Sequence, residues 1–241
     1  MRQRLKRWIN FALRQAGLQL VAAEADERQS LVDLLHRLEV GNVIDVGANK
    51  GQFAQQLLDK GYRGTVHCFE PLETAHAELA ARFCGHGQVK VWPRTAIGAK
   101  DGSVILNVSG NSVSSSARPM LPKHEDAAPR SAYVAVEDVP LAKLDTLLAD
   151  ETALFGQGVM LKIDTQGYEA EVLTGAAETI RQCKAVLLEM SAVPLYEGQE
   201  LWDSLHVRLS RSGFVMWNLI PDFRDARTGQ LLQFDGLYVR P

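Results

Sequence analysis

The stretch "VIDVGANKGQF", Val43 to Phe53, restricts the possible folds more than any other feature of this chain. A β-branched run carrying one acid ends at Gly47. A second glycine, Gly51, comes just before a segment of apolar-periodic residues. The pattern predicts a buried strand, a tight turn and the first turn of a helix. "QFAQQLLDKG" continues as that helix, with Gly61 as its C-cap. The alternation repeats in strand "GTVHCFE", helix "LETAHAELAARF" and strand "VKVWPRTAIG". After an interruption it resumes with "KLDTLLAD", "GVMLKID", "GYEAEVLTGAAETIRQ", "AVLLEM", "ELWDSLHVRLSRSG" and "FVMWNLI", and it closes on "DGLYVR". Such alternation predicts an α/β fold, Rossmann-like, with about seven strands in a mostly parallel sheet and helices on both faces.

The interruption holds Asp-Gly and Ser-Gly turns, apolar strand pattern and a Pro/Ser cluster, and predicts a hairpin-and-loop insertion over about residues 99–140. Residues 39–241 form the predicted main domain. Residues 1–38 form a predicted amphipathic helical segment, in which Leu5, Trp8, Ala12 and Ala16 recur at helical spacing beside Arg2, Lys6 and Arg7. Such a helix either docks its apolar face on the domain or touches an anionic membrane surface or a protein partner. Arg14 and Gln15 interrupt its apolar run too early for a signal peptide, and no segment approaches the length of a membrane span.

Composition narrows the function classes. An apolar content of 46% and a charged content of 23% fit one soluble domain. With 29 acids against 26 bases there is no overall footprint for nucleic acid. Cys68, Cys84 and Cys183 are odd in number and widely spaced, which excludes a disulfide framework or a CxxC metal site and predicts a reducing, cytoplasmic setting.

A parallel strand ending at Gly47, with a helix starting near Gly51, aims backbone N–H groups and a helix dipole at the carboxyl edge of the sheet, where open α/β sheets bind ligands. Asp45 brings a carboxylate to that edge. Glu70, in "CFEP", follows the glycine turn by about twenty residues, the separation at which an acid can hold both hydroxyls of a ribose. Gly47-Ala48-Asn49-Lys50-Gly51 lacks the spacing of the dinucleotide GxGxxG pattern. An acid two residues before the first glycine suits a ligand carrying an ammonium group, S-adenosylmethionine. The competing reading is an NAD(P)-dependent oxidoreductase or epimerase, against which stand the missing GxGxxG and the lack of a Tyr-x-x-x-Lys pair. A third is a cofactor-binding module without chemistry.

"VIDVGANKGQF", "CFEP", "AIGAKDGSVILNVSGNSVSSS", "LAKLDTLL", "MLKIDTQGYEAEVLTGA" and "AVLLEMSAVPLYEG" together resemble the FkbM family of S-adenosylmethionine-dependent methyltransferases, from about Asn42 to the final strand. The resemblance implies a seven-stranded methyltransferase sheet whose last strand is antiparallel. It also implies methyl transfer to hydroxyl oxygens of sugars, glycans or polyketide-type natural products. Mapped by position, Asp45, Gly47, Ala48, Asn49, Gly51 and Phe53 would line the methionine side of the cofactor. Glu70 and Pro71 would lie at the ribose, and Ala96 and Ile97, at the end of the third strand, near adenine.

Methyl transfer needs acceptor oxygen, carbon and sulfur nearly collinear, and an alcohol gains from a base that removes its proton. Asp164 ends a parallel strand on the glycine-turn edge, with Lys162 two residues earlier on the same strand face. Asp164 is thus the candidate proton acceptor, unless it or Thr165 only caps the next helix. Glu189, ending the fifth strand, is a second candidate acid, and with Asp164 it could offer a hard divalent cation a site. Gly110 to Pro119 offers hydroxyls to an acceptor or a cover for the cofactor, or is a plain polar turn. His124 is a surface histidine or a loop-borne base, and Tyr196 and Glu197 could rim the acceptor pocket. Asp145 reads as the cap of a short helix, and Trp92, Trp202 and Trp217 as core or interface residues.

Overall fold

A computed structural model describes residues 27–241; the amphipathic stretch from Leu5 to Ala16 lies outside the described residues. Ten strands follow in chain order: β1 Asn42–Val46, β2 Thr65–Phe69, β3 Val89–Val91, β4 Ala96–Ile97, β5 Gly102–Ser109, β6 Tyr133–Ala142, β7 Val159–Ile163, β8 Cys183–Ser191, β9 Val215–Pro221 and β10 Gln233–Val239. The helices are α1 Glu27–Arg37, α2 Gln52–Asp59, α3 Glu73–Arg82, α4 Pro122–Ala127, α5 Leu144–Leu147, α6 Thr152–Phe155, α7 Glu169–Gly175, α8 Ala177–Gln182 and α9 Trp202–Arg211.

Seven strands form one sheet in the order β3-β2-β1-β7-β8-β10-β9, with β10 antiparallel to both neighbours and the other pairs that are not β10's parallel. All five residues of β1 and of β7 are buried, as continuous apolar runs in a sheet covered on both faces require. On one face Leu31 and Leu35 of α1, Leu57 of α2 and Leu79 of α3 pack with Val43, Val66, Met160 and Leu187. On the other, Leu144, Val172, Leu173, Ile180, Leu205 and Leu209 pack with Ile44, Val46, Leu161 and Ile163. The chain leaves β1 toward β2 and β3 and returns to β7 on the opposite side, so the topological switch point lies between β1 and β7. A ligand crevice forms at the carboxyl ends of such a strand pair.

The structure redraws several predicted elements. "VKVWPRTAIG" is two strands: Pro93, which has no N–H to give to a ladder, ends the pairing of β3, and Ala96–Ile97 belongs to a second, three-stranded sheet ordered β4-β6-β5. Ala96 and Ile97 are therefore not the end of the third core strand. The insertion holds the expected hairpin, a long antiparallel pairing of β5 and β6. "GYEAEVLTGAAETIRQ" breaks into α7 and α8 at Ala176, whose φ of −115° leaves the helical range, next to Gly175, where a Cβ would stand 1.9 Å from the Gly98 carbonyl oxygen. Asp145 caps a distant helix rather than its own, accepting the Glu178 and Thr179 N–H groups at 2.9 and 2.8 Å. Trp92 stacks on Phe69, whereas Trp202 and Trp217 lie on the surface. All three cysteines are free. Among the described residues no helix is long and apolar enough to cross a membrane.

Gly47 is required by both its own backbone and its neighbour. Its φ is +81°, and a Cβ there would lie 1.9 Å from the Asp164 carbonyl oxygen at the end of β7. Gly47→Ala is expected to lower stability by at least about 2 kcal/mol, left-handed strain and overpacking acting together; urea unfolding with an unchanged slope measures it.

Candidate active site

A cavity of about 260 Å³ stands over the switch point, near the lower end of the range of about 300–1,000 Å³ common for small-molecule sites. Its first wall is the turn after β1. Gly47 and Ala48 donate their N–H groups to the Phe69 carbonyl at 3.0 Å each, tying the turn to the end of β2. Asn49 adopts a left-handed φ of +47° and its Oδ1 accepts the Lys50 N–H at 2.9 Å, the local bonding that makes asparagine tolerable there. Glu70, just past β2, accepts the Asn49 N–H at 2.7 Å and the Leu72 N–H at 2.9 Å. Burial outweighs these two bonds and pushes its carboxyl up to about 7.

The second wall is a charged row under the carboxyl edge. Asp45 and Lys162 are aligned in the parallel register of β1 and β7. The lysine Nζ lies 3.0 Å from Asp45 Oδ1, 3.3 Å from Asp164 Oδ2 and 3.3 Å from the Gly47 carbonyl oxygen. Burial alone would lower its affinity for the proton, and the carboxylates of Asp45 and Asp164 more than reverse that, keeping it an ammonium. Its Nζ also stands 5.4 Å from the centre of the Phe53 ring.

Asp164, Glu189, Asp222 and Asp235 also line the cavity. Glu189 accepts from the Gln166 amide at 2.9 and 2.8 Å and from Gln233 at 2.9 Å. Burial, then the charges of Asp164, Glu169, Asp235 and Asp222, hold its carboxyl well above the usual range. Glu169 is pushed up to about 7 by burial, although the Thr165 and Gly167 N–H groups bond to it. The insertion supplies the cover, with Ser112, Val113, Ser115, Ser116 and Ala117 on the cavity surface. It is tied down by Ser116, which donates to the Gln166 carbonyl at 2.6 Å, and by Arg118, which pairs with Glu171.

Of the cofactor-side residues expected from sequence, Gly47, Ala48, Asn49, Phe53, Glu70, Pro71, Ala96 and Ile97 line this cavity, as do Lys162, Asp164 and Glu189. Two do not. Asp45 is fully buried behind the wall with Lys162, and Gly51 turns toward Phe83 and Leu79, within 2.4 and 2.8 Å of where its Cβ would stand. Asp164 and Thr165 do not cap α7, which has no side-chain cap. His124 is neither a surface residue nor at the cavity: it is buried edge-on against Tyr196, 5.1 Å between ring centres, and burial lowers its pKa to about 4. Tyr196 also lies behind the cavity, its hydroxyl 2.7 Å from Gln166 Oε1. Among the described residues no group of three or more His, Cys, Asp or Glu side chains is arranged to hold a metal ion. The Gln166 amide occupies the space between Asp164 and Glu189. Gln166 itself was not anticipated; nothing in the residue type distinguishes it from a polar turn residue before Gly167.

The family model described as "Methyltransferase FkbM domain" matches residues 45–216. No curated protein sequence matches the chain. Solved structures of similar shape include magnesium protoporphyrin IX methyltransferase from Synechocystis PCC 6803 with bound SAM, at 12% identity and TM-score 0.49, covering 90% of this chain and 77% of that one. Aeropyrum pernix fibrillarin with natively bound S-adenosyl-L-methionine aligns at 13% identity and TM-score 0.47, over 83% of this chain and 67% of the other.

Two predictions follow from the charges. Lys162→Met leaves the buried Asp45 without its cation and is expected to cost about 3–5 kcal/mol, most of it recovered in the double variant with Asp45→Asn; a double-mutant cycle by urea unfolding reads the difference. For Glu70 the folded pKa is raised, so its contribution to stability is complete below about 4.5 and is lost as pH rises through about 7. Glu70→Gln should flatten part of that decline, but not all, since Glu169 and Glu189 titrate in the same direction; thermal unfolding from acid to neutral pH tests it.

Proposed function

This chain belongs to the FkbM methyltransferase family, and from that premise we propose that it moves a methyl group from S-adenosylmethionine to a hydroxyl oxygen of a sugar, glycan or related natural product. The observation that carries this reading is one cavity whose lining brings together the Gly47 turn, Glu70 and Asp164. The donor set fits the methyl donor. Each Glu70 oxygen holds one backbone N–H and keeps a lone pair for a ribose hydroxyl. Gly47 and Ala48 present backbone without bulky side chains, and Ala96, Ile97 and Leu106 offer an apolar surface to adenine.

When bound, the cofactor supplies a methyl group made electrophilic by the sulfonium. The protein's own work is orientation and proton transfer. The Asp164 carboxylate takes the hydroxyl proton as the new carbon–oxygen bond forms, worth about 10²–10⁴ in rate for a positioned base. Lys162 anchors that carboxylate through Oδ2. Ser112, Ser115, Asp222 and Asp235 on the same cavity surface support a polyhydroxylated acceptor, since hydroxyls both donate and accept where carboxylates only accept. The net charge of −3 argues against nucleic acid as acceptor, and we place the reaction in the cytoplasm on the free thiols.

Isothermal titration with S-adenosylhomocysteine and, separately, NAD tests the cofactor half. S-adenosylhomocysteine should bind, NAD should give no heat, and Glu70→Ala should weaken binding about tenfold or more, the loss of a charged hydrogen-bond acceptor. Heat from NAD alone would sink the reading. A screen of sugars for methyl transfer tests the acceptor half, with Asp164→Asn expected to retain cofactor affinity and lose about 10²-fold or more in turnover.

A further inference from the structure

We infer that Gln166 is the positioning residue of this site: its side-chain amide fixes the orientation of the Asp164 carboxylate and joins it to Glu189. The inference rests on the reading of Asp164 as the proton acceptor, and it concerns a residue that does not itself take the proton.

The amide has one permitted direction. Its Nε2 stands 3.0 Å from Asp164 Oδ1 and 2.9 and 2.8 Å from the two Glu189 oxygens. Its Oε1 receives the Tyr196 hydroxyl at 2.7 Å. Rotating the amide by half a turn would set a carbonyl oxygen against two carboxyl groups and forfeit all three donor contacts, so the acids select this orientation, and the Tyr196 hydroxyl, able to donate or accept, meets it as a donor. The backbone is held with equal force. Gln166 has a φ of +54°, a region that residues other than glycine seldom enter. Strain of this kind persists where the surroundings over-determine it. Here Ser116 donates to the Gln166 carbonyl at 2.6 Å, and Gly167 packs so tightly on the Tyr196 ring that a Cβ would lie within 2.9 Å of its carbons.

The result is an Asp164 carboxylate gripped at both oxygens by donors from different places, Oδ1 by Gln166 and Oδ2 by Lys162. The charged groups around the pair are Lys162 of β7, Asp45 of β1, Glu169 of α7, Glu189 of β8, Asp222 beyond β9 and Asp235 of β10. Gln166 and Lys162 both donate to Asp164 within this otherwise acidic set. The arrangement also makes the insertion part of the base's support. Ser116 touches Gln166, and Met120 pairs with Tyr196, so the segment that covers the cavity and the residue that orients the base are one connected assembly.

Carbon-13 NMR on protein labelled at its aspartate and glutamate carboxyl carbons, saturated with S-adenosylhomocysteine, tests the assignment. Asp164→Asn and Glu189→Gln identify the two signals. Gln166→Leu, which keeps the bulk and loses the amide, is expected to displace both signals at neutral pH. Gln166→Met, a second variant of similar bulk without the amide, should displace the same two. S-adenosylhomocysteine affinity is measured in each variant, so that the signals are compared at saturation. Unmoved Asp164 and Glu189 signals in folded Gln166→Leu would overturn the inference. If that variant does not fold, unmoved signals in Gln166→Met overturn it instead. Displaced signals support it, and they do so whether or not Asp164→Asn abolishes methyl transfer, which is the separate test of Asp164 as the base.

Discussion

At the junction of β1 and β7 one ammonium faces two carboxylates and a backbone carbonyl. Lys162 is nearly buried and Asp45 wholly so, and burying either charge alone would cost several kcal/mol, whereas the aligned pair offsets much of that. The alignment is a property of the sheet: parallel register sets Asp45 beside Lys162, and the same side-chain alternation sends Asp164 to the edge two residues on. With Nζ also on the Gly47 carbonyl, the lysine ties the glycine turn to the strand that carries the candidate base. The two halves of the cavity are therefore held in one frame.

The turn is constrained from three directions. Gly47 has to be a glycine because the Asp164 carbonyl stands where a side chain would be. Asn49 turns left-handed and gives its N–H to Glu70. Glu70 answers with both oxygens, bridging the turn to the segment after β2. A carboxyl that organises the backbone this way is held in one orientation by the fold itself, and its raised proton affinity is the consequence of the burial that holds it there.

The insertion couples to this frame from above. Hairpin β5–β6 carries the Ser-rich segment over the cavity, and Ser116, Arg118 and Met120 fasten it to Gln166, Glu171 and Tyr196. Those contacts join residues far apart in the chain, Ser116 to Gln166 and Tyr196 to Ser114 among them. No local pattern announces them. This is why Tyr196 and His124, plausible from sequence as rim residues or a base, are instead the buried backing of the loop after β7.

The sequence by itself determined the α/β alternation, the seven-stranded sheet, the glycine turn and the acids just past β2 and β7, because each is a local signal, whereas Glu189, expected to end its strand, lies inside β8, which runs on to Ser191. Apolar runs are read from period and length, glycines from the turns they permit, and strand-edge acids from where those runs stop. Only the tertiary structure decided that Asp45 serves Lys162 from behind the cavity wall, that Gly51 faces Phe83, that Asp145 caps α8 and that Ala96 and Ile97 belong to a second sheet. It alone decided, too, that Gln166 lies between two carboxyl groups. The physical reason is the same in each case. Burial and partnership depend on which distant segment arrives opposite a residue, and that is set by strand order and packing, not by the neighbours in the chain.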